Sequence, residues 1–190
     1  MEAVPLLLVA AAVLLPIVWW IAVHNRCVRL KHAVKESWAD IDVELKRRYE
    51  LIPNLVETVK GYAKHERDVL ERVVSLRNAA MQNHGSAASQ SKDENALVTG
   101  LRSLFVVAEG YPQLKSDANF RALQEELALT EDRIAAARRF FNGNVRELRN
   151  LKEQFPTSIV AGSVADTEVS FFELDDANER VVPRVDVGPR

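Results

Sequence analysis

The chain has 190 residues, and 25 lysines and arginines stand against 27 aspartates and glutamates, a formal net charge of -2. Once a membrane segment is set aside, this length suits one soluble domain with one modest core. The near balance of charge argues against nucleic acid as a partner. A single cysteine, Cys27, excludes an internal disulfide or a thiolate metal cluster within one chain. We expect an unmodified thiol there rather than an acylated one.

The N-terminal segment predicts one transmembrane helix. Residues 3–23 carry no charge, and as a helix they extend about 31 Å, the thickness of the hydrocarbon core of a bilayer. A secretory signal peptide is the alternative, but it needs a basic start and a small-residue cleavage site. The chain starts with Met1-Glu2, and the segment ends in Trp19-Trp20-Ile21. The lipid bilayer is therefore the first predicted partner.

The two flanks of this segment differ in charge. Trp19 and Trp20 suit an anchor at the membrane interface, and Arg26, Arg29 and Lys31 follow on the C-terminal side. Because basic residues favour the cytoplasmic side, we expect the N-terminus outside and the soluble domain in the cytoplasm.

Apolar residues at helical spacing continue beyond the membrane segment. The first row is Cys27, Leu30, Val34, Trp38, Ile41 and Leu45. Pro53 then either starts a new helix or kinks the existing one. We expect another helix from Leu55 to about Met81, because Leu55, Val59, Tyr62, Val69, Val73 and Leu76 share one face. Residues 83–95 are small and polar and predict a mobile loop.

The last two predicted helices precede an acidic tail. A short helix from Leu97 ends before Gly110-Tyr111-Pro112. A long one is capped by Ser116 or Asp117 and ends at Phe155-Pro156. Its apolar row recurs every seven residues, at Phe120, Leu127, Ile134, Phe141, Leu148 and Phe155. We expect this row to form a bundle core rather than a contact with a second copy.

We expect no helix from Thr157 onward, and an extended or disordered tail. Phe171 and Phe172 form its large apolar cluster. They predict docking of a short segment onto a bundle, its own or a partner's. The alternative is a wholly disordered tail with two incidental phenylalanines.

Candidate catalytic and metal-binding residues lack the required spacing. The four histidines form no ligand pair, and His65-Glu66 lacks the second histidine of a zinc protease. We expect the acids and arginines between Arg121 and Arg139, Arg138 among them, to form a solvated face. Lys46-Arg47-Arg48 is the densest basic run; it suits anionic headgroups, but a simple solvent-exposed run is the more common case. We predict no enzyme activity, cofactor or metal.

Several motifs resemble the LemA family of bacterial membrane proteins. They are Leu51-Ile52-Pro53-Asn54-Leu55-Val56-Glu57-Thr58-Val59-Lys60-Gly61-Tyr62-Ala63, Glu109-Gly110-Tyr111-Pro112-Gln113-Leu114-Lys115, Thr130-Glu131-Asp132-Arg133-Ile134, Ala137-Arg138-Arg139-Phe140-Phe141-Asn142 and Phe171-Phe172-Glu173. The resemblance implies a four-helix up-and-down bundle on a transmembrane anchor in the bacterial inner membrane. Between Ser163 and Thr167, and again beyond Glu173, the chain departs from the family pattern.

The predicted fold is therefore all-α, with a transmembrane anchor (1–25), a helical bundle (26–156) and an acidic, largely irregular tail (157–190). Our first functional hypothesis is a non-enzymatic, membrane-anchored interaction module or adaptor that binds a protein partner. The second is a homo-oligomeric scaffold that organises or shapes membrane. The resemblance is compatible with the second, since relatives occur in envelope and magnetosome membranes.

Overall fold

A computed structural model describes residues 3–164 and 169–174, and all regular secondary structure within these ranges is helical. The helices are α1 (Ala3–Tyr62), α2 (Arg67–Gln82), α3 (Ala87–Glu109), α4 (Pro112–Ser116), α5 (Ala118–Glu153) and α6 (Thr157–Val164). Residues 169–174 have no regular secondary structure but lie against the helices. We call this segment the strap.

Helix α1 is continuous for 60 residues, through both Pro16 and Pro53. Pro53 therefore does not start a new helix. The chain turns instead at residues 63–66, so the predicted single helix from Leu55 to Met81 is wrong. Tyr62 and Val69 lie on opposite sides of the turn but are seven residues apart, as they would be on one helical face. Periodicity alone cannot reveal such a break.

The first third of α1 projects from the rest of the structure. Its large apolar side chains, from Leu7 to Ile21, are exposed, and Val23 is the first buried one. This part of α1 is long and apolar enough to cross a membrane. An apolar surface of this length needs an apolar surrounding, because exposing it to water is unfavourable.

Neighbouring long helices run antiparallel. Along α1 and α5, the Arg26 guanidinium contacts Glu147 at 2.7 Å, and the Tyr62 hydroxyl at the far end donates to Asp117 at 2.9 Å. Along α2 and α3, the Gln90 amide donates to the Ala80 carbonyl at 3.0 Å. A Cβ at Gly100 would lie 2.7 Å from Leu76 Cδ1, so glycine permits the close approach of these two helices.

The apolar rows of α1 and α5 form the main core. In α5 the predicted row is buried as far as Leu148, and the Asp117 side chain caps the helix by accepting from the Phe120 amide at 2.9 Å. The row was predicted to continue to Phe155, which is wrong. Helix α5 ends at Glu153, and Phe155 is 82% exposed.

Two further helices contradict the sequence-based expectations. Helix α3 begins at Ala87, inside the segment predicted as a loop, with the Ser86 hydroxyl accepting from the Ser89 amide as its cap. Helix α6 begins at Thr157, where we expected irregular chain. Its Val160 and Ala161 pack with Val23, Cys27 and Leu151 in a second, smaller cluster. Burial there raises the pKa of the Cys27 thiol, although nearby Arg26 opposes the shift.

Candidate functional site

Helices α3 and α5 border a groove that the strap fills in part. Residues 169–174 lie along it, and Leu174 reaches into its remaining open part. The groove combines a peptide-like occupant, an open cavity and an adjoining network of buried charges, which makes it the candidate functional site.

Side chains of the groove hold the backbone of the strap. The Asn142 amide donates to the Phe172 carbonyl at 2.9 Å and its oxygen accepts from the Phe172 amide at 3.0 Å. The Arg138 guanidinium donates to the Leu174 carbonyl at 2.9 Å, and the Ser91 hydroxyl donates to the Glu173 carbonyl. Both walls of the groove therefore supply groups that recognise an extended backbone, whatever its side chains.

The aromatic side chains of the strap differ in burial. Phe172 is fully buried and meets Trp38 edge to face, with ring centroids 5.5 Å apart. Trp38 also packs on Phe141, at 5.2 Å. Phe171 is half-buried, and the Arg149 guanidinium lies 4.6 Å from its ring centroid. Phe172 is thus the apolar anchor of the strap, whereas Phe171 lies at the edge of the strap, against Arg149.

Beyond Leu174 the groove continues as an open cavity of about 400 Å³. Its apolar walls include Val98 and Phe105 of α3 and Leu127 of α5, while Arg102 and Asp132 lie at its exposed margin. An apolar channel with a polar margin suits a short extended peptide or one face of a helix.

A network of buried charges adjoins the groove through Glu131, which lines the open cavity. The Arg48 guanidinium contacts the carboxylates of Glu94 and Glu131, and Arg48 and Glu94 are both fully buried. The Tyr49 hydroxyl donates to Glu94, and the Gln90 amide donates to Glu94 at 2.9 Å. This network joins α1, α3 and α5, helices whose residues are distant in sequence.

The network keeps its charges because its members compensate for one another. Burial by itself lowers the pKa of Arg48, but Glu131 and Glu94 outweigh that effect, so the pKa lies above its ordinary value. Burial, and then the Glu94 carboxylate, raise the pKa of the Tyr49 hydroxyl, which therefore remains a donor. A buried ion pair of this kind costs desolvation energy and is better suited to specifying helix register than to adding stability.

The basic run 46–48 divides between surface and interior. Arg48 lies in the network, so the expectation of solvent exposure is wrong for it. Its neighbours stay outside: Lys46 contacts Asp42 at 2.9 Å, and Arg47 contacts Glu126. Arg138 was predicted on the solvated face of α5, but it is buried beneath the strap.

The residues predicted for the membrane interface lie on the exposed surface of α1. Trp19 and Trp20 are exposed near the end of the apolar part, and Arg29 and Lys31 are exposed beyond it. Arg26 is exposed as well and contacts Glu147.

Sequence reasoning missed Asn142, Arg138 and Glu94 as residues of the site. Asn142 and Arg138 lie near the buried row of α5, and their proximity to Phe141 was the available signal. Glu94 gave no signal, because its partners Arg48 and Tyr49 are more than forty residues away. Among the described residues, no group of three or more histidines, cysteines or acids could hold a metal ion.

The described residues form an all-helical fold with one N-terminal helix long and apolar enough to cross a membrane, which defines a class of helical proteins with a candidate membrane span. The family model of the LemA family matches residues 37–187, and the chain belongs to that family. It is also similar to Protein LemA of Metamycoplasma hominis, with 22% identity over 163 residues, which cover 86% of this chain and 72% of the relative.

Proposed function

We propose that this chain is a non-enzymatic, membrane-anchored interaction module whose α3–α5 groove binds an extended segment of a protein partner. The observation that carries the proposal is the strap itself. It is a segment without regular secondary structure whose carbonyls accept from Asn142, Arg138 and Ser91 and whose Phe172 is buried in the apolar core. A partner segment in the open cavity would continue the same mode of binding beyond Leu174.

A photo-crosslinking amino acid on α3 tests this proposal. Val98 lines the cavity, whereas Val106, on the same helix, is exposed outside it. In native membranes, we expect a crosslinker at position 98 to capture a distinct protein band that position 106 does not. Replacing Phe105, on the cavity wall, by aspartate should abolish that band. Identical crosslink patterns at 98 and 106 would contradict the proposal.

The proposed arrangement is a four-helix up-and-down bundle of α1, α2, α3 and α5 on the inner membrane, with the N-terminus outside. The antiparallel contacts between neighbouring helices support the bundle. Basic Arg26, Arg29 and Lys31, next to the apolar segment, support the orientation. Protease added to intact cells should leave the bundle uncut, and its digestion from outside would overturn the orientation.

A homo-oligomeric membrane-organising scaffold is the second candidate. Leu129, Ala136 and Phe140 are spaced by seven and four residues, so they share one face of α5, and all three are exposed. An exposed apolar stripe suits a second copy of the chain. Particle size in mild detergent distinguishes the two candidates. A chain that stays monomeric both in detergent and in nanodiscs excludes the scaffold. Replacing Phe140 by serine should dissociate an oligomer built on this stripe.

A further inference from the structure

The corner between α5 and α6 carries two large apolar side chains that are unusually exposed. Phe155 is 82% exposed, and Ile159, on the outer side of α6, is 58% exposed. The inner side of α6 is occupied, because Val160 packs against Val23 of α1. The corner therefore turns an apolar surface outward while it is fixed from behind.

The antiparallel register of α1 and α5 gives the height of this corner along the bundle. The Arg26–Glu147 contact, 2.7 Å long, marks one level shared by the two helices. From Arg26, six residues of α1 lead back to Trp20, a rise of about 9 Å. From Glu147, α5 rises about 9 Å in the same direction to its end at Glu153, and Phe155 follows directly. Phe155 therefore lies close to the level of Trp19 and Trp20.

The charge pattern agrees with this height. Residues 154–164 contain no charged side chain. On α1, Arg26 and Arg29 begin just past Val23, where the apolar segment ends. Tryptophans beside a basic flank mark the headgroup region of a bilayer. An uncharged corner at that level, with a phenylalanine and an isoleucine outward, matches the same layer.

We propose that the α5–α6 corner inserts Phe155 and Ile159 into the interfacial layer of the bilayer that α1 crosses. This inference rests on the proposed membrane anchor. The bundle then touches the membrane at two points, the helix α1 and the corner, and cannot tilt freely about the end of α1. The groove between α3 and α5 is thereby held at a defined angle to the membrane surface.

Nitroxide labels measure the depth of the corner in the full chain. In a Cys27→Ala background, Phe155→Cys and Ile159→Cys are labelled singly and placed in phospholipid nanodiscs. Arg139→Cys is the matched control, exposed on α5 and 14 residues before the end of that helix at Glu153, about 21 Å along it. Leu14→Cys, within the apolar segment, is the positive control. Each position is probed for collision with oxygen and with a water-soluble nickel chelate.

We expect the ratio of oxygen to nickel collisions at positions 155 and 159 to exceed that at 139 and to approach that at 14. A ratio at 155 and 159 equal to that at 139 would overturn the inference and leave the anchor intact. Free nickel access at position 14 would overturn the anchor, and the inference with it. Circular dichroism confirms that each labelled chain retains its helices, which exposed positions should permit.

Discussion

Truncating Phe172 should release the strap from the groove. Phe172 is fully buried, and its replacement by alanine removes a ring that packs on Trp38. Such truncations cost about 3–5 kcal/mol in protein cores. The strap can detach while the helices stay folded, so the loss is limited to the free energy of docking. Burial of one ring supplies roughly 2–3 kcal/mol of that docking energy. We expect a loss of about 3 kcal/mol or slightly less.

Phe171→Ala is the matched control, because Phe171 is the adjacent residue, half-buried over Arg149. Its truncation should cost only about 1 kcal/mol. Thermal unfolding in mild detergent should show a midpoint lowered by about 6–12 °C for Phe172→Ala. Hydrogen exchange checks the cause, since the Phe172 amide donates to Asn142 and should lose its protection in this variant. Equal losses for the two variants, or a Phe172→Ala strap that stays protected, would refute this account of docking.

Three further predictions concern buried or capping charges. Glu94→Leu should cost about 3–5 kcal/mol in chemical denaturation, because it leaves Arg48 buried with one carboxylate fewer. Adding Arg48→Met should recover most of that loss, and an equal loss in both variants would contradict the ion-pair account. The backbone amide that Asp117 caps is the first cause that lowers the pKa of its carboxyl group. The contribution of Asp117 to stability is therefore present above about pH 3.8, the pKa in the unfolded chain, and fades as the pH falls through the lower pKa of the folded chain. The stability advantage of the wild type over Asp117→Asn should therefore shrink in acid unfolding series, and a constant difference would oppose this. Arg138→Ala should cost about 1.5–3 kcal/mol and speed exchange in the strap, whereas exposed Arg139→Ala should stay within about 0.5 kcal/mol.

The sequence by itself determined the features that depend on local apolar spacing. An uninterrupted apolar run predicted the N-terminal helix, and the row from Phe120 to Leu148 predicted the buried face of α5. Both signals are strong because many side chains repeat the same preference for leaving water. The cap at Asp117 was predictable for a similarly local reason: a carboxylate satisfies amides only a few residues away.

Only the tertiary structure decided which polar residues are buried. Glu94 lies in a segment without apolar period, and Arg48 lies in a basic run, so each indicated solvent by itself. They are buried because each compensates the other's charge across 46 residues of sequence. Arg138 is covered for a related reason: the strap returns over α5 and offers it the Leu174 carbonyl.

The tertiary structure also decided where helices begin and end. Helix α6 forms because Val160 and Ala161 find a partner surface on α1, which weak local propensity did not reveal. Phe155 continues the seven-residue row in sequence, yet it is exposed because α5 ends two residues before it. A periodic pattern states which side chains share a face only while the helix lasts, and its end depends on distant contacts.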